Sequence, residues 1–166
     1  MFLGGLFFCL FLSSLIGGCA TLSSSLDRRA GAEAITQKAG FTRSLVSTDR
    51  FKLTAYSRIS KQGQPLTIYI EGDGLAWLSK RRLSRDPTPR HPLVLRLATM
   101  DTAPNVAYLA RPCQYTPIST DSSCSDSAYW SDKRFSEEVI ASMNEAVDQL
   151  KASSGAPTVR MAGYSG

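Results

Sequence analysis

The sequence predicts an α/β fold on a mostly parallel sheet. Three observations carry that prediction. Short β-branched and aromatic runs alternate with segments of helical period. Two of those runs lead straight into glycine-rich turns, at Glu71-Gly72-Asp73-Gly74 and at Gly163-Tyr164-Ser165-Gly166. The composition, 43% hydrophobic and 20% charged over 166 residues, suits one packed domain and excludes a disordered, collagen-like or multi-span membrane chain. Strands separated by helices pair in parallel with both faces covered, because a parallel pair needs a crossover. The single histidine excludes a His-based metal cluster, and no metal or cofactor is expected.

The elements follow in order. Residues 1–18 carry no charge, and 2–16 are apolar apart from glycines, Ser13 and Ser14. A membrane span needs about 20 apolar residues, whereas a signal peptide needs roughly 7–15 ending in small residues. The stretch fits the signal peptide. Residues 19–40 read as a tether, small and polar at first (Ala20-Thr21-Leu22-Ser23-Ser24-Ser25), then Ala- and charge-rich and partly helical. A strand is expected at 41–47. The alternation in Phe51-Lys52-Leu53-Thr54-Ala55-Tyr56-Ser57-Arg58-Ile59 is that of a half-buried strand. Gln62-Gly63-Gln64-Pro65 turns the chain into Leu66-Thr67-Ile68-Tyr69-Ile70, a buried strand.

Residues 92–99 read as a short helix after a proline-rich loop, and Asn105-Val106-Ala107-Tyr108-Leu109 as the next strand. Ser131 or Ser136 can cap a long helix. Phe135, Val139, Met143, Ala146, Val147 and Leu150 share one face of it. Ser153-Ser154-Gly155-Ala156-Pro157 ends that helix, and Thr158-Val159-Arg160-Met161-Ala162 is the last strand.

The quartet Ile16-Gly17-Gly18-Cys19 resembles the bacterial lipobox. That resemblance implies cleavage before Cys19, acylation of its thiol and new amine, and a stable bilayer anchor from several chains. The expected location is the bacterial cell envelope, lipid-anchored on the periplasmic face of the outer membrane. With Cys9 in the signal and Cys19 acylated, Cys113 and Cys124 remain as an even pair in an exported domain, and a disulfide is expected. An exported chain is not expected to bind nucleic acid, despite its net charge of +5.

Gly163-Tyr164-Ser165 begins a G-x-S-x-G nucleophile elbow. The tripeptide alone is weak, but a strand leads into it as an elbow requires. Glycines flank an elbow serine because bulkier side chains would collide, and the strained turn exposes the hydroxyl. Together with the glycine-bracketed loop after the third strand, residues 41–166 resemble the N-terminal part of the α/β-hydrolase family. The shared order is two leading strands, third strand, oxyanion loop, helix, strand, helix, strand and elbow.

The resemblance implies Ser165 as nucleophile for ester or related acyl hydrolysis of a small substrate. It implies backbone N–H donors from Asp73 and Gly166 as the oxyanion hole, with Gly72, Gly74 and Gly163 supporting the loops. Glu71 stands where that family commonly has histidine. The family's order is Ser, then Asp or Glu, then His, and nothing follows Gly166 here. His91 precedes the serine and reads as a loop residue rather than a base. The expectation is a truncated form ending at the elbow: weakly active or inactive, marginal in folding, its last strand an exposed edge. A non-catalytic envelope lipoprotein that binds or supports is the other reading.

Lys80-Arg81-Arg82, Arg85 and Arg90 form a basic stretch, read as a solvated loop or as a contact for anionic headgroups. Trp77, Tyr115 and Trp130 either line a substrate mouth or fill the core. Arg111-Pro112-Cys113-Gln114-Tyr115 follows a strand end, where site-shaping loops gather.

Overall fold

The computed structural model describes residues 19–165; the signal-peptide reading of 1–18 and the Gly166 amide lie outside the described residues. The chain starts with α1 (Cys19–Lys38), then β1 (Thr42–Ser47), β2 (Lys52–Ile59), β3 (Leu66–Ile70), β4 (Trp77–Ser79), β5 (Arg82–Leu83), α2 (Leu93–Met100), β6 (Asn105–Leu109), α3 (Glu137–Ser154) and β7 (Val159–Gly163). Five strands form one sheet in the order β1-β2-β6-β3-β7, and β4 with β5 makes a small separate hairpin.

The sheet is mixed, which corrects the expectation of a mostly parallel one. β1–β2 and β2–β6 are antiparallel, while β6–β3 and β3–β7 are parallel. The reason lies in the connections. Only residues 48–51 join β1 to β2, too few for a crossover. The links from β3 to β6 and from β6 to β7 each contain a helix, so those strands return in the same direction.

Alternation along the strands sorts the core into two layers. Leu53, Ala55, Leu66, Ile68, Ala107 and Leu109 pack with Val139, Ala146 and Leu150 of α3. On the other face Tyr56, Val106 and Tyr108 pack with Val94, Leu95 and Ala98 of α2 and Ala32 of α1. All five residues of β6 are buried, as befits a strand covered on both faces and paired on both edges.

Several local features differ from the sequence reading. The 19–40 tether is a continuous helix to Lys38, docked on the domain. Ala32 and Thr36 are buried, and Arg28 pairs with Asp86 at 2.7 Å. Phe135 precedes α3 and is half exposed; the buried face of that helix is Val139, Ser142, Ala146, Leu150 and Ser154. Gly155 caps its C-terminus in the left-handed region (φ 63°).

The 113–124 loop is closed by the Cys113–Cys124 disulfide, with Cα atoms 5.3 Å apart. It leads into two short 3-10 turns whose starts are capped by Asp121 and Asp126. β7 pairs only with β3, and among the described residues its outer edge is unpaired. Met161 on it is 66% exposed. No helix among the described residues is long and apolar enough to cross a membrane.

Candidate functional site

Parallel pairing decides where the site forms. β6, β3 and β7 point the same way, so the chain leaves all three at one end of the sheet. In open α/β sheets, ligands gather at such carboxyl ends. Ile70 pairs with Gly163, which sets the Glu71-Gly72-Asp73-Gly74 loop beside Tyr164-Ser165.

Ser165 follows β7 directly and has φ +41°, one of three non-glycine residues with positive φ among those described. Such backbone is strained for a side chain-bearing residue and persists only where its surroundings fix it. The fixing contact is Gly72. A Cβ there would sit 2.5 Å from the Tyr164 carbonyl oxygen and 2.7 Å from that of Ser165, so only glycine lets the two loops touch. By contrast, nothing lies within 4 Å of a Cβ placed on Gly163. The crowding expected at the glycine flanking the serine therefore lies at Gly72 instead, among the described residues.

The β3 loop is held from two sides. Gln114, fully buried, donates from Nε2 to the Gly72 carbonyl at 2.8 Å, and its Oε1 accepts from the Arg111 N–H at 3.2 Å. Gly74 has φ +63°, and a Cβ there would meet the Pro87 carbonyl at 2.2 Å. The Asp73 carboxylate pairs with Arg111 at 2.9 Å and Arg134 at 3.4 Å. Arg111 also donates to the Arg134 carbonyl, and both guanidinium groups stack on the Phe135 ring. Burial lowers the Arg111 pKa, the Asp73 charge opposing it. Among the described residues the Asp73 N–H donates no hydrogen bond.

Glu71 is buried behind the loop. Its carboxylate accepts from the Tyr108 hydroxyl at 3.0 Å and the Gly72 N–H at 3.2 Å, and it also meets the Leu95 N–H in the first turn of α2. Burial raises its pKa, and these three donors pull it back. The Tyr108 phenol is itself pushed well up by burial, so it stays a donor. Glu71 thus ties the β3 loop to β6 and α2.

A cavity of about 310 Å³ collects these parts, with Glu71, Gly72, Asp73, His91, Tyr164 and Ser165 on its walls. His91, set aside on sequence order, belongs to that wall. Its place just before the expected helix at 92–99 was visible in the sequence, but the packing of α2 behind the β3 loop, which brings it to this cavity, was not. No hydrogen bond or ion pair orients its ring among the described residues. Trp77 is exposed on β4 and lines neither cavity, whereas Tyr115 and Trp130 are buried walls of a second one. Of the other site residues singled out in the sequence, Cys19 begins α1, while Cys113 and Cys124 brace the loop that carries Gln114.

Comparison with known proteins returns nothing: no family model matches the chain, and neither a curated protein nor a solved structure is detectably similar to it.

Proposed function

We propose that this chain carries the nucleophile side of a serine acyl-hydrolase site of the α/β-hydrolase type, on an envelope lipoprotein anchored through Cys19. One observation carries the reading. Ser165 sits in strained backbone directly after a strand, pressed against Gly72 of the loop that would supply an oxyanion amide. In this reading the Ser165 hydroxyl oxygen attacks an ester carbonyl carbon as a base takes its proton. Negative charge on the carbonyl oxygen is met by the Asp73 N–H and by the N–H of Gly166. Collapse expels the alcohol, and water then releases the acyl group as an acid. The succession of β3, glycine loop, α2, β6, α3 and β7 supports the reading, with the β4–β5 hairpin inserted after the loop. No oriented base stands beside Ser165 among the described residues, so the 166 residues on their own react slowly.

The test is a fluorophosphonate probe with the adduct located by mass spectrometry. A slow adduct on Ser165, absent from Ser165→Ala, is the expected result. An adduct that persists in Ser165→Ala, or spreads over surface residues, refutes the nucleophile. Labelling complete within seconds refutes the slow reaction. For the anchor, Cys19→Ser abolishes palmitate incorporation, and unchanged incorporation refutes acylation there. A binding module without catalysis is the second reading, favoured by a larger cavity elsewhere in the chain.

A further inference from the structure

A cavity of about 1190 Å³ lies between the start of α1, the β4–β5 hairpin and the loops at 84–90 and 113–118. It is larger than the roughly 300–1,000 Å³ usual for small-molecule sites. Its lining has two chemistries. Leu75, Leu78, Leu83, Pro117, Ile118 and the Trp130 indole make an apolar trough. Arg28, Arg29, Arg82, Arg85 and Arg90 stand on the same walls, against only Asp27 and Asp86.

Asp86 is already engaged by Arg28 at 2.7 Å. Arg82, Arg85 and Arg90 have no carboxylate partner among the described residues. An apolar trough beside unpaired guanidinium groups is complementary to a molecule with a hydrocarbon chain and an acidic head. Arginine matches carboxylate or phosphate in a two-pronged fashion.

We propose that this cavity binds an anionic amphiphile, its acyl chain in the Leu75–Leu83–Ile118–Trp130 trough and its carboxylate or phosphate on Arg82 and Arg85. Its walls include Ser24 and Ser25, and α1 begins at Cys19, so the cavity lies within about two helical turns of that residue. The binding does not rest on the Ser165 reading, and Ser165→Ala binds as wild type.

The test uses the full chain in a non-ionic detergent. The sequence has two tryptophans, so Trp77→Phe leaves Trp130, on the cavity wall, as the sole reporter. Titration with dibromostearate should quench Trp130 saturably. Its methyl ester should bind at least tenfold more weakly. Arg82→Gln with Arg85→Gln should bring the acid down to the level of the ester, with the melting temperature unchanged. Ile118→Glu, at an exposed wall position, should weaken the acid tenfold by repulsion and serves if the double variant fails to fold. Vesicles of brominated phosphatidylglycerol, added without detergent, identify a bilayer lipid as the source if they quench saturably at lower concentration than the free acid; the reverse identifies a soluble acid. Quenching that never saturates, that is equal for acid and ester, or that ignores the arginine changes overturns the proposal.

Discussion

Gly72→Ala tests the contact on which the site depends. The added methyl carbon would lie 2.5 Å and 2.7 Å from the carbonyl oxygens of Tyr164 and Ser165, where ordinary contact begins near 3.4 Å. Both obstacles are backbone, so the two loops must part by roughly 0.7–0.9 Å. Overpacking of that size costs about 1–3 kcal/mol. For a chain of this length that is a melting temperature lower by about 2–12 °C. Displacing a reacting atom by about 1 Å also slows reaction by around 100-fold. Gly31→Ala is the control, since nothing lies within 4 Å of its new methyl group. In the middle of α1 it should gain about 0.5–1 kcal/mol. Thermal melting and fluorophosphonate labelling of both variants are the assays. A Gly72→Ala protein that melts and labels as wild type would mean that the β3 loop and Ser165 do not meet as described.

Three further outcomes are expected. Reducing the Cys113–Cys124 disulfide, which spans 11 positions, should cost about 3 kcal/mol by loop-closure entropy. That is a melting temperature lower by about 6–12 °C, and identical melts with and without reductant would refute it. Burial holds the Glu71 carboxyl above its ordinary value of 4.5, so its favourable contribution is complete below pH 4.5 and is lost as pH rises through the folded value. Glu71→Gln, neutral throughout, should therefore gain melting temperature relative to wild type as pH climbs above 4.5, and parallel curves would contradict the assignment. His91 lines the Ser165 cavity without a partner to orient it. His91→Gln should keep Ser165 labelling within about threefold, whereas a loss of 100-fold or more would make His91 the base.

Strand positions were legible because they rest on local pattern. Leu66-Thr67-Ile68-Tyr69-Ile70 and Asn105-Val106-Ala107-Tyr108-Leu109 are strands at the expected residues. The direction of pairing was less legible, because it depends on connections rather than periodicity. The four residues between β1 and β2 were visible, and they dictate the antiparallel pair that the α/β expectation passed over. Helix α1 was legible only in part: its second half read as partly helical, but its full extent and its docking did not show. Its sequence has little apolar periodicity, and what holds it is tertiary: Ala32 and Thr36 buried, Arg28 on Asp86. At the site, the glycines of the β3 loop announced a close approach but not its partner. The segment Arg111-Pro112-Cys113-Gln114-Tyr115 announced a site-shaping loop but not which of its residues acts, since a glutamine in a loop reads as solvent-facing until its partner, the Gly72 carbonyl, is known.

The loop from 110 to 116 accounts for why so much unusual backbone collects at one end of the sheet. Cys113 and Tyr115 have φ of +68° and +58° on either side of Gln114. Between them the Gln114 side chain is buried, bonding the Gly72 carbonyl and the Arg111 amide. Cys113 is fixed by its disulfide, and the Tyr115 N–H by Thr88 Oγ1 at 2.8 Å. The strain is therefore imposed by covalent and hydrogen-bonded neighbours rather than by local preference. A single line of contact runs from the disulfide through Gln114 to Gly72 and on to the strained Ser165. It explains why the disulfide sits in this loop: closing 113 to 124 does not merely shorten a surface excursion. It braces the loop whose Gln114 bonds the Gly72 carbonyl, and Gly72 is the residue that approaches the Tyr164 and Ser165 carbonyls.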